Sequence, residues 1–223
     1  MLRDVHVSGP LDGLREALEE RLQRAGAIIV DEAEEAEVTI QIDGHEKCDI
    51  AIVHPGSKLP DSGIVIELSD VIIPNGSRNW GNGTIIDWIE QIMSGKQPSP
   101  ESVIRFWVNV RDVVDAISTI CLNGKENLPK GNYRMCGRRS WEMEDVTDEI
   151  RILWERYNNA VNHSHTVESL SEVPSPVRGI HSEVVERPDL SELHEALIKS
   201  GAEGWHPLVP MRISLMEMIA VAN

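Results

Sequence analysis

Tyrosine, phenylalanine and positive charge are all scarce in this chain of 223 residues. Its two tyrosines, Tyr133 and Tyr157, each lack a lysine four residues on, so no Tyr-x-x-x-Lys pair exists to hold a phenol as an acid/base. Cysteine is equally sparse. Cys48, Cys121 and Cys136 are odd in number, widely spaced and without a Cys-x-x-Cys pair, which excludes a disulfide framework and a structural zinc knuckle. Reduced thiols in a cytosol are the expectation. Lysine and arginine number 21 against 37 aspartates and glutamates, a formal net charge of −16 that repels a phosphate backbone and excludes nucleic acid as a general partner. No apolar run approaches the roughly 20 residues that cross a bilayer, and the opening Met-Leu-Arg-Asp-Val-His-Val has no signal-peptide core. The expected location is cytoplasmic, with no membrane partner. A Gly-x-Ser-x-Gly elbow is also missing.

What is present is alternation of short apolar runs with amphipathic stretches. Strands are expected at Val5–Ser8, Ala27–Val30, Val38–Ile42, Asp49–His54, Gly63–Leu68 and Tyr133–Met135. Helices are expected at 14–25, 84–93, 108–122, 144–158, 190–200 and 208–221. In the first of these Leu14, Leu18 and Leu22 share a face, and Gly26 closes the turn. Residues 162–186, rich in Ser, Pro and His, read as a loop. Strands alternating with helices predict an α/β fold, a parallel sheet with helices on both faces.

Four stretches carry a family resemblance. Val7-Ser8-Gly9-Pro10-Leu11-Asp12-Gly13-Leu14-Arg15 opens as a strand, turn and helix. Cys48-Asp49-Ile50-Ala51-Ile52-Val53-His54-Pro55 is like the pattern D-V-V-I-H-L-A-A. Arg105-Phe106-Trp107-Val108-Asn109-Val110-Arg111-Asp112-Val113-Val114-Asp115-Ala116-Ile117 is like R-D-F-V-H-V-D-D-V-A-x-A-I, and Val65 to Gly76 keeps the apolar frame of R-x-x-N-V-Y-G-P. Gly131 to Gly137, then Arg187-Pro188-Asp189 and Gly204-Trp205-His206-Pro207-Leu208, are like that pattern's closing segments. Together they cover about 80% of the chain and resemble the extended short-chain dehydrogenase/reductases, the NAD-dependent nucleotide-sugar epimerases and dehydratases.

The resemblance implies a shortened Rossmann-like core over residues 1–130, and a part over 131–223 that completes the fold and forms a small C-terminal lobe. It implies NAD or NADP at Gly9, Gly13 and Asp31, although Asp12 and Arg15 stand where two further glycines serve the pyrophosphate. It places Asp49–His54 as the fourth strand, followed at once by the next, so the helix bearing the catalytic pair is gone. Arg105 and Arg187 stand where the family clamps a sugar-nucleotide diphosphate, and guanidinium forks suit phosphate oxygens. No catalytic residue and no metal ligand set is read. His163-x-His165, with His181 further on, offers no placed third ligand. Cys121 reads as core, and Cys136 as an ordinary loop thiol, although Arg134, Arg138 and Arg139 stand near enough in sequence to lower its pKa. Trp88 and Trp154 are expected at a contact.

Three readings follow. One is a non-redox binding or accessory subunit for a nucleotide-sugar or nucleotide diphosphate. The others are an active NAD(P)-dependent epimerase/dehydratase with a relocated acid/base, and a structural subunit. The lost helix helps build the family's dimer, so a homo-oligomer, or pairing with a full-length relative, is expected through another surface.

Overall fold

The computed structural model describes residues 3–74, 78–99, 103–123, 129–167 and 186–222. The strands are β1 (Arg3–Ser8), β2 (Ala27–Ile29), β3 (Val38–Ile42), β4 (Cys48–Val53), β5 (Ser62–Leu68), β6 (Val71–Ile72), β7 (Val108–Asn109) and β8 (Gly131–Met135). The helices are α1 (Gly13–Arg24), α2 (Asn82–Met93), α3 (Val110–Leu122), α4 (Met143–Val161), α5 (Ser191–Lys199) and α6 (Met211–Ala222). Each expected strand and helix is found, with ends shifted by a few residues. The pair β6–β7 was not expected, because two-residue strands leave no periodicity to read.

Six strands form one parallel sheet in the order β2-β1-β3-β4-β5-β8, and β6 pairs with β7 separately. Alternate residues of each strand face one core: Val5 and Val7, Val38, Ile40 and Ile42, Ile50 and Ile52, Ile64, Ile66 and Leu68, Tyr133 and Met135. Leu14, Leu18 and Leu22 of α1, Val113, Ile117 and Ile120 of α3, and Leu193 and Leu197 of α5 fill it from outside. This is the period of 2 meeting the period of 3.6. The central strands are also buried on the opposite face, where Ala51, Val53 and Val65 form a small cluster.

The order corrects one placement. In a sheet of this kind the strand beside β1 on the far side from β2 is the fourth. That place belongs to β3, so Cys48–Val53 lies one position further out. Parallel neighbours are usually joined by a crossover of a dozen or more residues. Here residues 43–47 join β3 to β4, and residues 54–61 join β4 to β5. The first connection backs onto the sheet: a Cβ on Gly44 would sit 2.4 Å from Gln41 Cδ. Helices that would normally lie between these strands are replaced by short turns and bends.

A second apolar cluster holds the remaining helices. Ile85, Trp88, Ile89 and Ile92 of α2 meet Val146, Ile150 and Leu153 of α4, and Leu215, Met218 and Ile219 of α6, against Ile72 and Trp107. Trp88 is therefore a core residue and not a contact residue, because i, i+3, i+4 and i+7 on α2 form the inward stripe. Trp154 is half-buried and stacks on Tyr157 at 5.8 Å. This cluster draws on β6 and α2 from before residue 130 and on α4 and α6 from after it. No described helix is long and apolar enough to cross a membrane.

Candidate functional site

The first expected site is the turn from β1 into α1. Gly9 has φ +120°, and a Cβ there would stand 2.2 Å from the Ile42 carbonyl oxygen, so the turn presses against the end of β3. Asp12 is the N-cap of α1. Its Oδ1 accepts from the amides of Leu14 and Arg15, both at 3.1 Å, which satisfies donors that a helix start leaves unpaired. Its Oδ2 accepts from the Trp80 indole at 3.3 Å and from Asn79 at 3.4 Å. Trp80 is buried at φ +59° and stacks on His54 at 4.0 Å. Arg15 lies back across the turn, donating to the Gly9 carbonyl at 2.9 Å and to Glu19 at 2.7 Å. Gly13 is buried in the first position of α1, and Asp31 is exposed beyond β2.

A dinucleotide pyrophosphate binds such a fold at the N-terminus of α1, through amides and a positive helix end. The residues present do not fit it. A carboxylate already takes the Leu14 and Arg15 amides, and Trp80 bridges from there to His54 at the end of β4. An incoming anion would meet negative charge and a packed indole.

The second expected site was an arginine clamp. Arg105 pairs its backbone with Trp141 in an antiparallel bridge, and its Nη1 lies 3.3 Å from Asp70 Oδ1. Asp70 also accepts from the Phe106 amide at 2.8 Å. Arg187 is exposed and lines an outer recess of about 380 Å³ with Arg138, Ser191, His194 and Trp205. Arg105 is thus held by the chain's own Asp70 and Trp141, and Arg187 lines an exposed recess.

A deeper recess of about 360 Å³ lies between β7, the loop after β8 and the start of α6. Gly137 and Arg138 line both recesses. A Cβ on Gly137 would meet the Trp107 carbonyl oxygen at 2.1 Å, so only glycine lets that loop lie against residues 106–107. The deep wall is apolar and aromatic, with Ile72, Trp107, Trp141, Val209 and Met211. Arg139 sits 4.3 Å over the Trp141 ring, a cation–π contact. Arg212 donates from Nε to Glu149 Oε2 at 2.6 Å and from Nη2 to Oε1 at 3.3 Å. Asn109 donates to Ser214 Oγ at 2.9 Å. Sequence reading missed Glu149, Arg212 and Asn109. The available signal was a glutamate on the inward stripe of α4, between Val146 and Leu153, and the one basic residue of a largely apolar α6.

Cys121 and Cys136 are buried and Cys48 is half-buried. Cys121 and Cys136 are both pushed up to about 12, chiefly by desolvation. At Cys136 the Arg134 guanidinium acts to lower the value, but burial and the Asp70 carboxylate outweigh it. His163 and His165 are exposed, while His181 lies outside the described residues. Among the described residues no three His, Cys, Asp or Glu side chains are grouped as metal ligands would be.

No protein-family model matches the sequence, and no curated protein does. Solved structures do match over nearly the whole chain. RMD from Pseudomonas aeruginosa, complexed with NADPH, superposes with a TM-score of 0.60 at 12% identity over 99% of this chain and 97% of that one. The Bordetella bronchiseptica enzyme WbmF, in complex with NAD+ and UDP, gives 0.59 at 10% identity over 99% and 92%. UDP-N-acetylglucosamine 4-epimerase from Bacillus cereus gives 0.57 at 10% identity over 98% and 99%. At such identities the likeness is one of fold. The Rossmann-like fold of NAD-dependent nucleotide-sugar epimerases and dehydratases, implied by the sequence motifs, is the fold of this chain.

Proposed function

We propose that this chain binds a nucleotide diphosphate or nucleotide-sugar without redox chemistry, as a binding or accessory protein built on an epimerase-like fold. One contrast carries the reading. The anion position at α1 is filled by Asp12 and closed by Trp80, whereas the recess between β7 and α6 is open and carries arginines beside tryptophans. A flat base suits the Trp107 and Trp141 side, and phosphate oxygens suit guanidinium forks. A solved neighbour in fold is described in complex with UDP. The absence of any Tyr-x-x-x-Lys pair removes the acid/base that hydride chemistry on this fold needs. Arg187 serves the outer recess in this reading, and Arg105 supports the Trp107 and Trp141 walls from behind.

Thermal unfolding with UDP, GDP, dTDP, their sugars, NAD+ and NADP+ tests the reading. A nucleotide diphosphate at about 100 times its Kd should add roughly 2.7 kcal/mol of stability. NAD+ and NADP+ should add none. Stabilisation by NAD(P)+, or turnover of a nucleotide-sugar, would return the chain to the active-enzyme reading.

A further inference from the structure

We infer that Arg212 grips the anionic group of the ligand in the deep recess, and that buried Glu149 is the positioning residue that aims it. The inference rests on the reading of that recess as a ligand site. The ligand chemistry is a phosphoryl oxyanion joined to a flat ring.

Local charge favours an anion here. Three arginines line the recess, Arg138, Arg139 and Arg212, against one carboxylate, Glu149, among the described lining residues. The chain as a whole carries −16. A local excess of cations in a strongly acidic protein draws an anion to this recess and away from the rest of the surface. The three arginines differ in how they are held. Arg138 is exposed and donates to His206 Nδ1 at 3.1 Å. Arg139 is exposed over Trp141. Arg212 is half-buried and gripped at two points by a carboxylate that is 4% exposed.

Stability alone gives no reason for that pair. A buried ion pair is often matched or bettered by apolar residues of equal volume, and the partners here stand on α4 and α6, whose neighbouring residues Ile150 and Met211 belong to the second apolar cluster. The pair does fix a guanidinium. Arginine has five N–H donors in a planar fork. Arg212 turns Nε and Nη2 toward Glu149, which leaves Nη1 on a side chain that lines the recess. A guanidinium locked in this way loses little freedom when an oxyanion arrives, as pre-organised binding requires. Beside it, Trp141 under Arg139 offers a ring face for the flat part of the ligand.

The test is calorimetric titration of the full chain with UDP and with uridine. Wild type should bind UDP more tightly than uridine. Arg212→Lys keeps the charge and loses the fork, so its UDP Kd should rise by about tenfold or more while its uridine Kd stays put. Glu149→Gln still accepts a hydrogen bond from Arg212 but loses the ionic hold. It should narrow the UDP-to-uridine ratio severalfold, a readout that loss of packing alone would not move. If wild type binds UDP and folded Arg212→Lys binds it equally well, the inference is overturned and the recess reading stands. Should Arg212→Lys not fold, Glu149→Gln decides: an unchanged ratio overturns the inference and a narrowed one supports it. Wild type that binds neither probe overturns the recess reading, and this inference with it.

Discussion

Asp12 shows how one residue can reverse the use of a family-like frame. A side-chain oxygen three residues from a helix amide makes an N-cap, and the same oxygen denies those amides to a phosphate. Asp12→Ala should lower stability by about 1 kcal/mol or somewhat more, because the Trp80 indole loses its acceptor as well. Urea denaturation followed by tryptophan fluorescence measures it. The buried thiols give a pH prediction. Cys121 and Cys136 stand at about 12 in the folded chain against an ordinary 9.0. A raised value means the folded state disfavours the thiolate. Their contribution is therefore complete below pH 9 and is lost as pH climbs towards 12. The urea midpoint should fall between pH 8 and pH 10.5, and Cys121→Ala with Cys136→Ala should flatten that slope. If the double variant keeps the slope, the cysteines are not its source.

At the level of elements, a few hydrogen bonds hold the loops around the recess. Asp112 on α3 accepts from the amides of Leu208 and Val209, which ties the segment leading into α6 to the main layer. Burial pushes its carboxyl up, and the two amides only partly offset that. A carboxyl raised in this way contributes stability below its ordinary 3.8, and that contribution is lost as pH rises through the raised value. Asp112→Asn keeps an acceptor and removes the buried charge. Its urea midpoint should exceed wild type at pH 7 and match it near pH 3, and a lower midpoint at pH 7 would show that the charged bonds dominate. Gly137 is the close-approach point of the recess wall. Gly137→Ala drives a Cβ into the Trp107 carbonyl, and should cost about 2–4 kcal/mol as a strained backbone contact does. It should also abolish UDP binding at temperatures where the variant is still folded, which circular dichroism and titration together would establish.

For the whole molecule, net charge acts in a way that no single contact expresses. At −16 the chain repels itself when compact. Raising potassium chloride from 0.05 to 0.5 M shortens the screening length from about 14 Å to about 4 Å, so the urea midpoint should rise with salt. A midpoint that falls would mean that the ion pairs, such as Arg111 with Glu217 and Arg212 with Glu149, outweigh the general repulsion.

Periodicity is local, so the sequence by itself determined the elements and which face of each is apolar. Leu14, Leu18 and Leu22, or the alternation Val38, Ile40, Ile42, needs no knowledge of the fold to be read. The missing Tyr-x-x-x-Lys pair was equally legible, since no folding can supply an absent residue. Tertiary structure decided what joins elements far apart in sequence. It put Val38–Ile42 beside β1, brought Trp80 to Asp12 across 68 residues, and seated Arg212 on Glu149 across 63. It also tied Arg105 to Asp70 and set Arg187 at an exposed recess. These outcomes follow from which apolar faces pack together and in what order. That is a property of the assembled core, and a pattern read along one strand or helix does not contain it.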